Sequence, residues 1–178
     1  MPRLFTGIEI PSQIGLALSA YRGGLPGARW IDPENYHITL RFIGDIDDRM
    51  ADDVASILGE RRQRAPIDII LDGLDSFGGS KPRAVFARTA GSGELNELQA
   101  EQERLLRQVG LPPETRKFTP HVTLARLKHV SPIDVADYIA MRGHFPKLTF
   151  TADRFVLYSS RASVGGGPYV VEAAYPLG

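Results

Sequence analysis

The sequence predicts a protein of mixed α and β structure, built as two related halves. Segments with strand-like and helix-like patterns alternate along all 178 residues. The tetrapeptide His-x-Thr-Leu occurs twice, beginning at His37 and at His121. Each copy follows one predicted strand and one predicted helix, and this shared order favours an internal duplication. A chain of this length fits one domain, or one domain of two lobes, and we expect residues 1–178 to form a single domain.

The first half contains two predicted strands and two predicted helices. Residues 3–10 are apolar and β-branched and predict one strand, and residues 36–43 predict another that contains the first motif. The helix between them opens at Pro11, and Gly23 ends it. Its apolar stripe consists of Ile14, Leu16, Ala17, Leu18 and Tyr21. Residues 45–64 predict the second helix, because apolar residues recur there at spacings of three or four.

The second half repeats this order and adds strands at its end. Residues 67–74 and 83–89 predict two strands with a loop between them. Residues 93–109 predict a helix that Gly110 ends, and residues 119–127 predict the strand that holds the second motif. Residues 132–141 predict a short helix, and residues 163–167 predict a turn. Three further strands are predicted at residues 148–151, 154–159 and 169–174.

The composition excludes several kinds of site and partner. The 21 basic and 21 acidic residues balance, which argues against extended binding to duplex nucleic acid but is compatible with a small basic cleft for an RNA end. The chain has no cysteine, so disulfides, zinc–thiolate sites and cysteine nucleophiles are excluded. No run approaches the ~20 apolar residues that span a bilayer, and the first residues do not resemble a signal peptide. We therefore expect a cytoplasmic protein with no membrane partner.

The two motifs place the same polar pair on one face of each predicted strand. Residues i and i+2 of a strand project from the same side of the sheet. His37 and Thr39 therefore point away from the apolar residues that alternate with them, and His121 and Thr123 form the matching pair. If a pseudo-two-fold axis relates the halves, the two polar pairs converge in one cleft.

Two imidazoles and two hydroxyls suit the hydrolysis of a cyclic phosphodiester. Imidazole has an ordinary pKa near ~6.5, so one ring can take a proton from water while the other gives one to the departing sugar oxygen. Threonine hydroxyls can donate to the non-bridging phosphate oxygens. Two histidines without a nearby carboxylate cluster predict no metal site and no cofactor.

Each motif alone also has an ordinary structural explanation. A lone histidine in a strand is more often packed or hydrogen-bonded than catalytic. Two copies of the same His-x-Thr-Leu pattern in matching strands reverse that expectation. The other two histidines, His129 and His144, have no such repeat, and we interpret them as surface residues.

The paired motifs resemble the signature of the two-histidine (2H) phosphoesterase superfamily. Within it, the chain is similar to the RNA 2′,3′-cyclic phosphodiesterases of the ThpR or LigT type, once called 2′-5′ RNA ligases. The resemblance covers nearly the whole chain. It includes residues 3–11, Trp30, the first motif at 37–45, the second at 118–126, and the closing segments at 155–160 and 167–177.

This resemblance implies a fold and an activity. The expected fold is bilobal α+β, in which two antiparallel sheets with pseudo-two-fold symmetry line a central groove and helices cover the outside. The expected activity is metal-independent opening of a 2′,3′-cyclic phosphate to a 2′-phosphomonoester, on RNA or an oligonucleotide with such an end. His37 would protonate the departing 3′ oxygen, His121 would activate water, and Thr39 and Thr123 would hold the phosphate. The sequence leaves open whether the two histidines exchange roles.

Two further residues enter through the resemblance. Arg126 would contact the phosphate, although it lies three residues after Thr123 and strand alternation alone places it on the opposite face. A local bend of the strand would reconcile the two expectations. Phe42 is a candidate to stack on the terminal base, with plain core packing as the alternative interpretation.

Three functional hypotheses remain open on the sequence. The leading one is a monomeric, metal-free RNA 2′,3′-cyclic phosphodiesterase, with 2′-5′ RNA ligation as the accessible reverse reaction. The second keeps the same residues but assigns small cyclic nucleotides or 2′-5′ linkages as substrates. The third is an RNA-end-binding module without turnover, which the complete set of histidines and threonines argues against.

Overall fold

The computed structural model describes residues 3–142, 144–160 and 167–178. Its elements, in chain order, are β1 (Arg3–Glu9), α1 (Ser12–Ser19), β2 (Ala28–Trp30), a 3-10 turn (Pro33–Asn35), β3 (His37–Asp45), α2 (Asp48–Leu58), β4 (Ile67–Phe77), β5 (Ala84–Thr89), α3 (Gly93–Gln108), β6 (His121–Leu127), α4 (Pro132–Arg142), β7 (Leu148–Ala152), β8 (Arg154–Ser160) and β9 (Tyr169–Pro176). The turn predicted at residues 163–167 lies, except for Gly167, outside the described residues.

The strands form one antiparallel sheet that divides into two halves. Along the sheet the strands follow the order β7-β4-β5-β6-β3-β1-β8-β9, and β2 pairs with β6 beside this path. We call β3, β1, β8 and β9 the first half-sheet, and β6, β5, β4 and β7 the second half-sheet. The two meet at a single residue pair, Ile38 opposite Val122. The predicted α+β fold is therefore confirmed, with the two antiparallel sheets joined by this one pair.

The two half-sheets have the same internal connections. β1 leads through α1 to β3, and β5 leads through α3 to β6, so the predicted repeat of strand, helix and motif strand is present. The outer strands cross between the halves, because β4 pairs with β5 while β8 pairs with β1. Each half-sheet is consequently completed by a strand from the other half of the chain.

The core lies between the sheet and the helices. The apolar residues that alternate with the motif side chains, Ile38, Leu40, Val122 and Leu124, are at most 3% exposed. They share one core cluster with Leu95, Leu98 and Leu106 of α3. That helix is amphipathic, with buried residues at spacings of three or four, and the Ser92 hydroxyl caps it by accepting from the Leu95 N–H at 3.1 Å. Burial of one face therefore leaves the motif side chains on the opposite, open face.

Several elements differ from the prediction. α1 ends at Ser19, before Gly23, and β4 continues to Phe77 rather than ending at residue 74. α2 ends at Leu58 rather than at residue 64. The residues beyond it are held by α3 instead: the Arg62 backbone N–H donates to Glu101 at 2.9 Å, and Arg64 forms an ion pair with the same carboxylate at 3.3 Å. The short strand β2 was not predicted, because three residues are too few to show a period. No helix in the described part of the chain is long and apolar enough to cross a membrane.

Candidate active site

A β-bulge follows the motif in both motif strands. Opposite β1, the register passes from Thr39 directly to Arg41, which leaves Leu40 without an opposing residue. Opposite β5, it passes from Thr123 directly to Ala125, which leaves Leu124 unopposed in the same way. An extra residue of this kind shifts the alternation of the side chains that follow it. In both strands two consecutive residues are therefore buried after the threonine.

The bulge brings Arg126 onto the same face as His121 and Thr123. Two buried residues, Leu124 and Ala125, separate Thr123 from Arg126, so simple alternation no longer applies. Arg126 is exposed and lines the same pocket as the histidines. The strand bend that the resemblance required is thus present as a bulge at Leu124.

The two motif pairs line one small pocket of about 90 Å³. His37, Thr39, His121 and Thr123 all contribute to its wall, as the convergence of the two strands predicts. The other residues of the wall are Ile31, Asn35, Phe77, Ala84, Arg126 and Tyr169. Phe42 is not among them.

Phe42 nevertheless lies on the pocket side of the sheet. Its directly opposed neighbour in β1 is Phe5, whose ring lies 5.0 Å from the ring of His37. Opposed residues of an antiparallel pair share a face. Phe42 occupies the position in β3 that Arg126 occupies in β6, and its side chain is 41% exposed. An aromatic ring at this position stands beside the pocket and open to solvent.

His37 is enclosed by aromatic rings and fixed by two hydrogen bonds. Its Nδ1 lies 2.9 Å from the Asn35 carbonyl oxygen, and its Nε2 lies 2.9 Å from the Thr39 hydroxyl. Phe5, Tyr158 and Tyr169 surround the imidazole at centroid distances of 5.0, 5.5 and 5.0 Å. The ring of Tyr158 can approach because Gly7 has no side chain; a Cβ there would lie 3.2 Å from that ring and 2.8 Å from the Ile38 carbonyl oxygen.

His121 has a similar but less enclosed environment. Its Nδ1 lies 2.6 Å from the Thr119 carbonyl oxygen. Two rings contact the imidazole, Phe77 at 4.8 Å edge-on and Phe86 at 5.0 Å. These two phenylalanines stack on each other with their centroids 4.1 Å apart. The carbonyl two residues before each histidine therefore orients its ring, at Asn35 in one strand and at Thr119 in the other.

The backbone carbonyls fix the tautomer of both histidines. A carbonyl oxygen only accepts hydrogen bonds, so each Nδ1 must carry the proton that it donates. In the neutral rings Nε2 then presents a lone pair, which in His37 accepts from the Thr39 hydroxyl. Each Nε2 is thus prepared to accept a proton, or to donate one once the ring is charged.

The pKa values of both histidines lie below the ordinary value of 6.5. Burial lowers the pKa of His37 to about 4; the positive charges of His121 and Arg126 act in the same direction, and the hydrogen bond to Asn35 opposes them. Burial also lowers the pKa of His121, with the Thr119 hydrogen bond opposing it and the Arg126 charge reinforcing it. Both imidazoles are therefore neutral near pH 7. The positive charge of Arg126 thus lowers the pKa of both rings.

The sequence did not identify the residues that support the histidines. Asn35 orients His37 through its carbonyl, and its side-chain oxygen accepts from the Tyr169 backbone N–H at 3.4 Å. Tyr169, Phe77 and Phe86 come from strands that are distant in sequence, so no local pattern marks them. His129 and His144, interpreted as surface residues, are both exposed. In residues 3–142, 144–160 and 167–178, no group of three or more histidine, aspartate or glutamate side chains could hold a metal ion.

The fold and the site together define a class. An α+β protein in which two strands each present a histidine and a threonine to one pocket has the architecture of the two-histidine phosphoesterases. Residues 11–163 match the model of the family described as the 2′-5′ RNA ligase superfamily. The chain belongs to this family.

Several curated relatives share the name RNA 2′,3′-cyclic phosphodiesterase. A protein of Aeropyrum pernix named RNA 2′,3′-cyclic phosphodiesterase is 41% identical over 108 residues, which cover 59% of this chain and 60% of that protein. A relative of the same name from Thermotoga maritima is 30% identical over 82% of this chain and 77% of its own length. One from Methanocaldococcus jannaschii is 28% identical over 95% of this chain and 97% of its own length.

Solved structures agree on the fold. A protein of Thermus thermophilus superimposes with a TM-score of 0.81 at 23% identity, covering 98% of this chain and 97% of that one. E. coli LigT complexed with 3′-AMP superimposes with a TM-score of 0.77 at 22% identity, covering 99% of both chains. At these identities the superpositions establish the fold alone.

Proposed function

We propose that this protein hydrolyses 2′,3′-cyclic phosphate ends of RNA to 2′-phosphomonoesters without a metal ion. The observation that carries the proposal is the convergence of His37 and His121, each with its threonine, on one pocket. The relatives from Aeropyrum pernix, Thermotoga maritima and Methanocaldococcus jannaschii are named for this activity, which supports the choice of substrate.

The reaction needs one proton acceptor and one proton donor on opposite sides of the phosphorus. His121 Nε2 takes a proton from water as the water oxygen bonds to phosphorus. The bond from phosphorus to the 3′ oxygen breaks, and His37 Nε2 gives its proton to that oxygen. The products are a 2′-phosphomonoester and a free 3′ hydroxyl, and the two histidines have exchanged protonation states.

Substrate charge supplies the protonation that the free site lacks. Burial lowers the pKa of both imidazoles. A phosphodiester placed between them carries a negative charge, which favours the charged form of a nearby imidazole. Binding therefore draws one proton onto the pair. A histidinium whose pKa is held low by enclosure is a strong acid, which suits His37 for protonating an alkoxide.

The other proposed site residues bind either the phosphate or the nucleoside. Once His37 Nε2 carries a proton, the Thr39 hydroxyl no longer donates to it. The Thr39 and Thr123 hydroxyls then donate to the non-bridging oxygens, where charge increases in the transition state. The guanidinium of Arg126, whose charge reaches both histidines, contacts the same oxygens. Phe42, exposed at the equivalent position of the other strand, stacks on the terminal base.

We also propose that the chain works as a monomer and as one domain. Both walls of the pocket come from the same chain, so no second copy is needed to complete it. The pairing of Ile38 with Val122 joins the two half-sheets beside the pocket. Light scattering at the concentration of the assay tests the first statement, and a single cooperative unfolding transition by two probes tests the second.

The central experiment is hydrolysis of an oligonucleotide with a 2′,3′-cyclic phosphate end in the presence of EDTA. We expect turnover by the wild type and a loss of roughly 10²–10⁴-fold in kcat/KM for His37→Ala and for His121→Ala. His144→Ala, at an exposed histidine outside the pocket, is the matched control and should keep wild-type activity. Undiminished turnover in both pocket variants, or activity that EDTA abolishes, would contradict the proposal. Binding of the RNA end without product at any pH would indicate a binding module instead.

A further inference from the structure

The short strand β2 places a second arginine beside Arg126. In the pairing of β2 with β6, Arg29 lies directly opposite Arg126, between the pairs Ala28–Leu127 and Trp30–Ala125. Opposed residues of an antiparallel pair share a face, with their Cβ atoms about 4.5–5.5 Å apart. Because Arg126 lines the pocket, Arg29 lies on the pocket face of the sheet, one strand further out. Both side chains are exposed.

The pairing places two guanidinium groups next to each other on the face of the sheet that holds the pocket. On its other side Arg126 faces Ala84, so across the sheet the row reads Arg29, Arg126 and a small side chain that leaves the guanidinium groups room. Guanidinium groups bind phosphate oxygens through paired N–H donors, and two of them side by side form a cationic surface that extends away from the pocket.

β2 is held in place from both sides, which fixes where Arg29 stands. The Ile31 backbone N–H donates to the Leu124 carbonyl oxygen at 2.9 Å, at the bulge itself. On the opposite face of the sheet, Trp30 packs against Tyr138 of α4 with ring centroids 5.8 Å apart. A side chain on a strand anchored in this way binds a ligand with less loss of conformational freedom than one on an open loop.

The position of Arg29 separates its role from that of Arg126. Arg126 lines the pocket, and its charge lowers the pKa of both histidines. In the proposed function it therefore binds the reacting phosphate. Arg29 is not one of the pocket residues. An RNA strand that leaves the pocket over this face would bring its next phosphate to Arg29.

We propose that Arg29 binds the internal phosphodiester that precedes the cyclic phosphate end and so makes the protein prefer oligonucleotides over mononucleotides. This inference rests on the proposed function, since it assumes that the pocket holds a cyclic phosphate. Arg29 contacts no reacting atom, and its contribution is made in binding, through KM.

The test compares Arg29→Ala with the wild type on two substrates. One is a nucleoside 2′,3′-cyclic phosphate, and the other is a dinucleotide that ends in the same cyclic phosphate and has one internal phosphodiester. On the dinucleotide we expect kcat/KM to fall roughly tenfold through KM, with a salt dependence weakened by about one unit of slope. On the mononucleotide we expect no change. Arg29→Lys, which keeps the charge, should recover most of the loss.

Two controls isolate the internal phosphate. Arg22→Ala removes an exposed arginine of the same connecting segment, paired with Asp32 at 3.5 Å, and should behave as wild type on both substrates. A dinucleotide whose internal linkage is an uncharged methylphosphonate should lose the same factor with the wild-type protein and lose nothing further with Arg29→Ala. The substrate control gives an answer even if the variant folds poorly.

The outcomes distinguish this inference from the proposed function. If the wild type turns over neither substrate, the proposed function fails, and this inference fails with it. If the wild type is active but Arg29→Ala loses equally on both substrates, Arg29 acts on the reacting phosphate or on the fold, and the inference alone is wrong. Equal wild-type kcat/KM for the phosphodiester and the methylphosphonate also overturns it.

Discussion

The motif strands β3 and β6 are alike up to the bulge and differ directly after it. Both carry His-x-Thr on the pocket face, and both insert one leucine, Leu40 or Leu124, that has no opposing residue. The next two positions are Arg41 and Phe42 in β3, and Ala125 and Arg126 in β6. β3 therefore has an arginine on its buried face where β6 has an alanine. On the pocket face, β3 has an aromatic ring where β6 has a cation.

Under the proposed function, this difference would let a duplicated frame serve an unsymmetrical substrate. A nucleoside cyclic phosphate has a base on one side and an anion on the other, while the two His-x-Thr pairs are equivalent by themselves. The residues after the bulge break the equivalence, with Arg126 beside one pair and Phe42 beside the other. On this proposal, the repeated residues transfer protons, and the residues that differ between the two strands orient the substrate.

The largest expected effect separates the two histidines by leaving group. A p-nitrophenyl diester such as bis(p-nitrophenyl) phosphate expels an anion that needs no proton, so it dispenses with the general acid. We expect His121→Ala to lose roughly 10²–10⁴-fold on both this ester and a cyclic phosphate, and His37→Ala to lose that much only on the cyclic phosphate. Steady-state kcat/KM on both substrates checks this. Equal deficits for both variants on both substrates would remove the asymmetry, and the opposite pattern would exchange the roles.

The next effect concerns the buried side of the comparison. Arg41 is 6% exposed; its side chain bonds to Glu103 of α3 at 2.6 Å and donates to the Pro112 carbonyl oxygen at 2.6 Å and to the Phe42 carbonyl oxygen. Arg41→Met leaves the largely buried carboxylate of Glu103 with the Glu114 backbone N–H, at 3.0 Å, but without its cationic partner, and should lower the free energy of unfolding by about 3–5 kcal/mol. Urea denaturation measures this change in the free energy of unfolding.

Two further variants test the reason for that loss. Arg3 pairs with Asp45 at the surface, with side chains 37% and 53% exposed, so Arg3→Met should cost no more than about 1 kcal/mol. Adding Glu103→Leu to Arg41→Met removes the carboxylate that has lost its cationic partner, and should restore much of the stability. In that double variant β3 would have an apolar residue at the position of Ala125 in β6. An Arg41→Met variant as stable as Arg3→Met would show that the ion pair is unimportant.

A somewhat smaller effect follows from the pKa of His37. Its folded-state pKa of about 4 lies below the ordinary value of 6.5, so the unfolded chain binds the proton first as the pH falls. The stability that this group contributes is therefore present above pH 6.5 and is lost as the pH falls toward 4. Between pH 7.5 and 4.5 the wild type should lose about 2–3 kcal/mol more than His37→Asn, measured by urea denaturation at each pH. Parallel pH dependences would show that His37 is not held neutral.

The smallest expected effect concerns Phe42. Because the ring is 41% exposed, Phe42→Leu should change the free energy of unfolding little. It should raise KM for an oligonucleotide by roughly tenfold, since stacking of one base is worth about 1–3 kcal/mol. Phe42→Trp should retain binding, and an abasic cyclic phosphate should not distinguish the variants. The core-packing interpretation requires the reverse, a loss of stability with an unchanged KM.

The sequence predicted the parts of this molecule that local patterns encode. The alternation of polar and apolar residues in each motif predicted which side chains share a face, and the repeated order of elements predicted the equivalence of the two half-sheets. Arg126 could not be placed by alternation, because the bulge at Leu124 is defined only by the register against β5. The rings of Tyr169 and Phe77 arrive from distant strands, and Asn35 acts through a carbonyl that every residue type has. The early end of α2 depends on Glu101 of another helix.

The crossing of β4 and β8 bears on how such a chain can be divided. A polypeptide ending near residue 80 would contain β1 and β3 without β8, and β4 without β5, so neither of its sheet fragments would be complete. Two copies of such a half-length chain would complete each other only by exchanging a strand, as intertwined partners do. The internal repeat is therefore a pair of interlocked halves, and the linkage between residues 77 and 84 turns a mutual exchange of strands into a single chain.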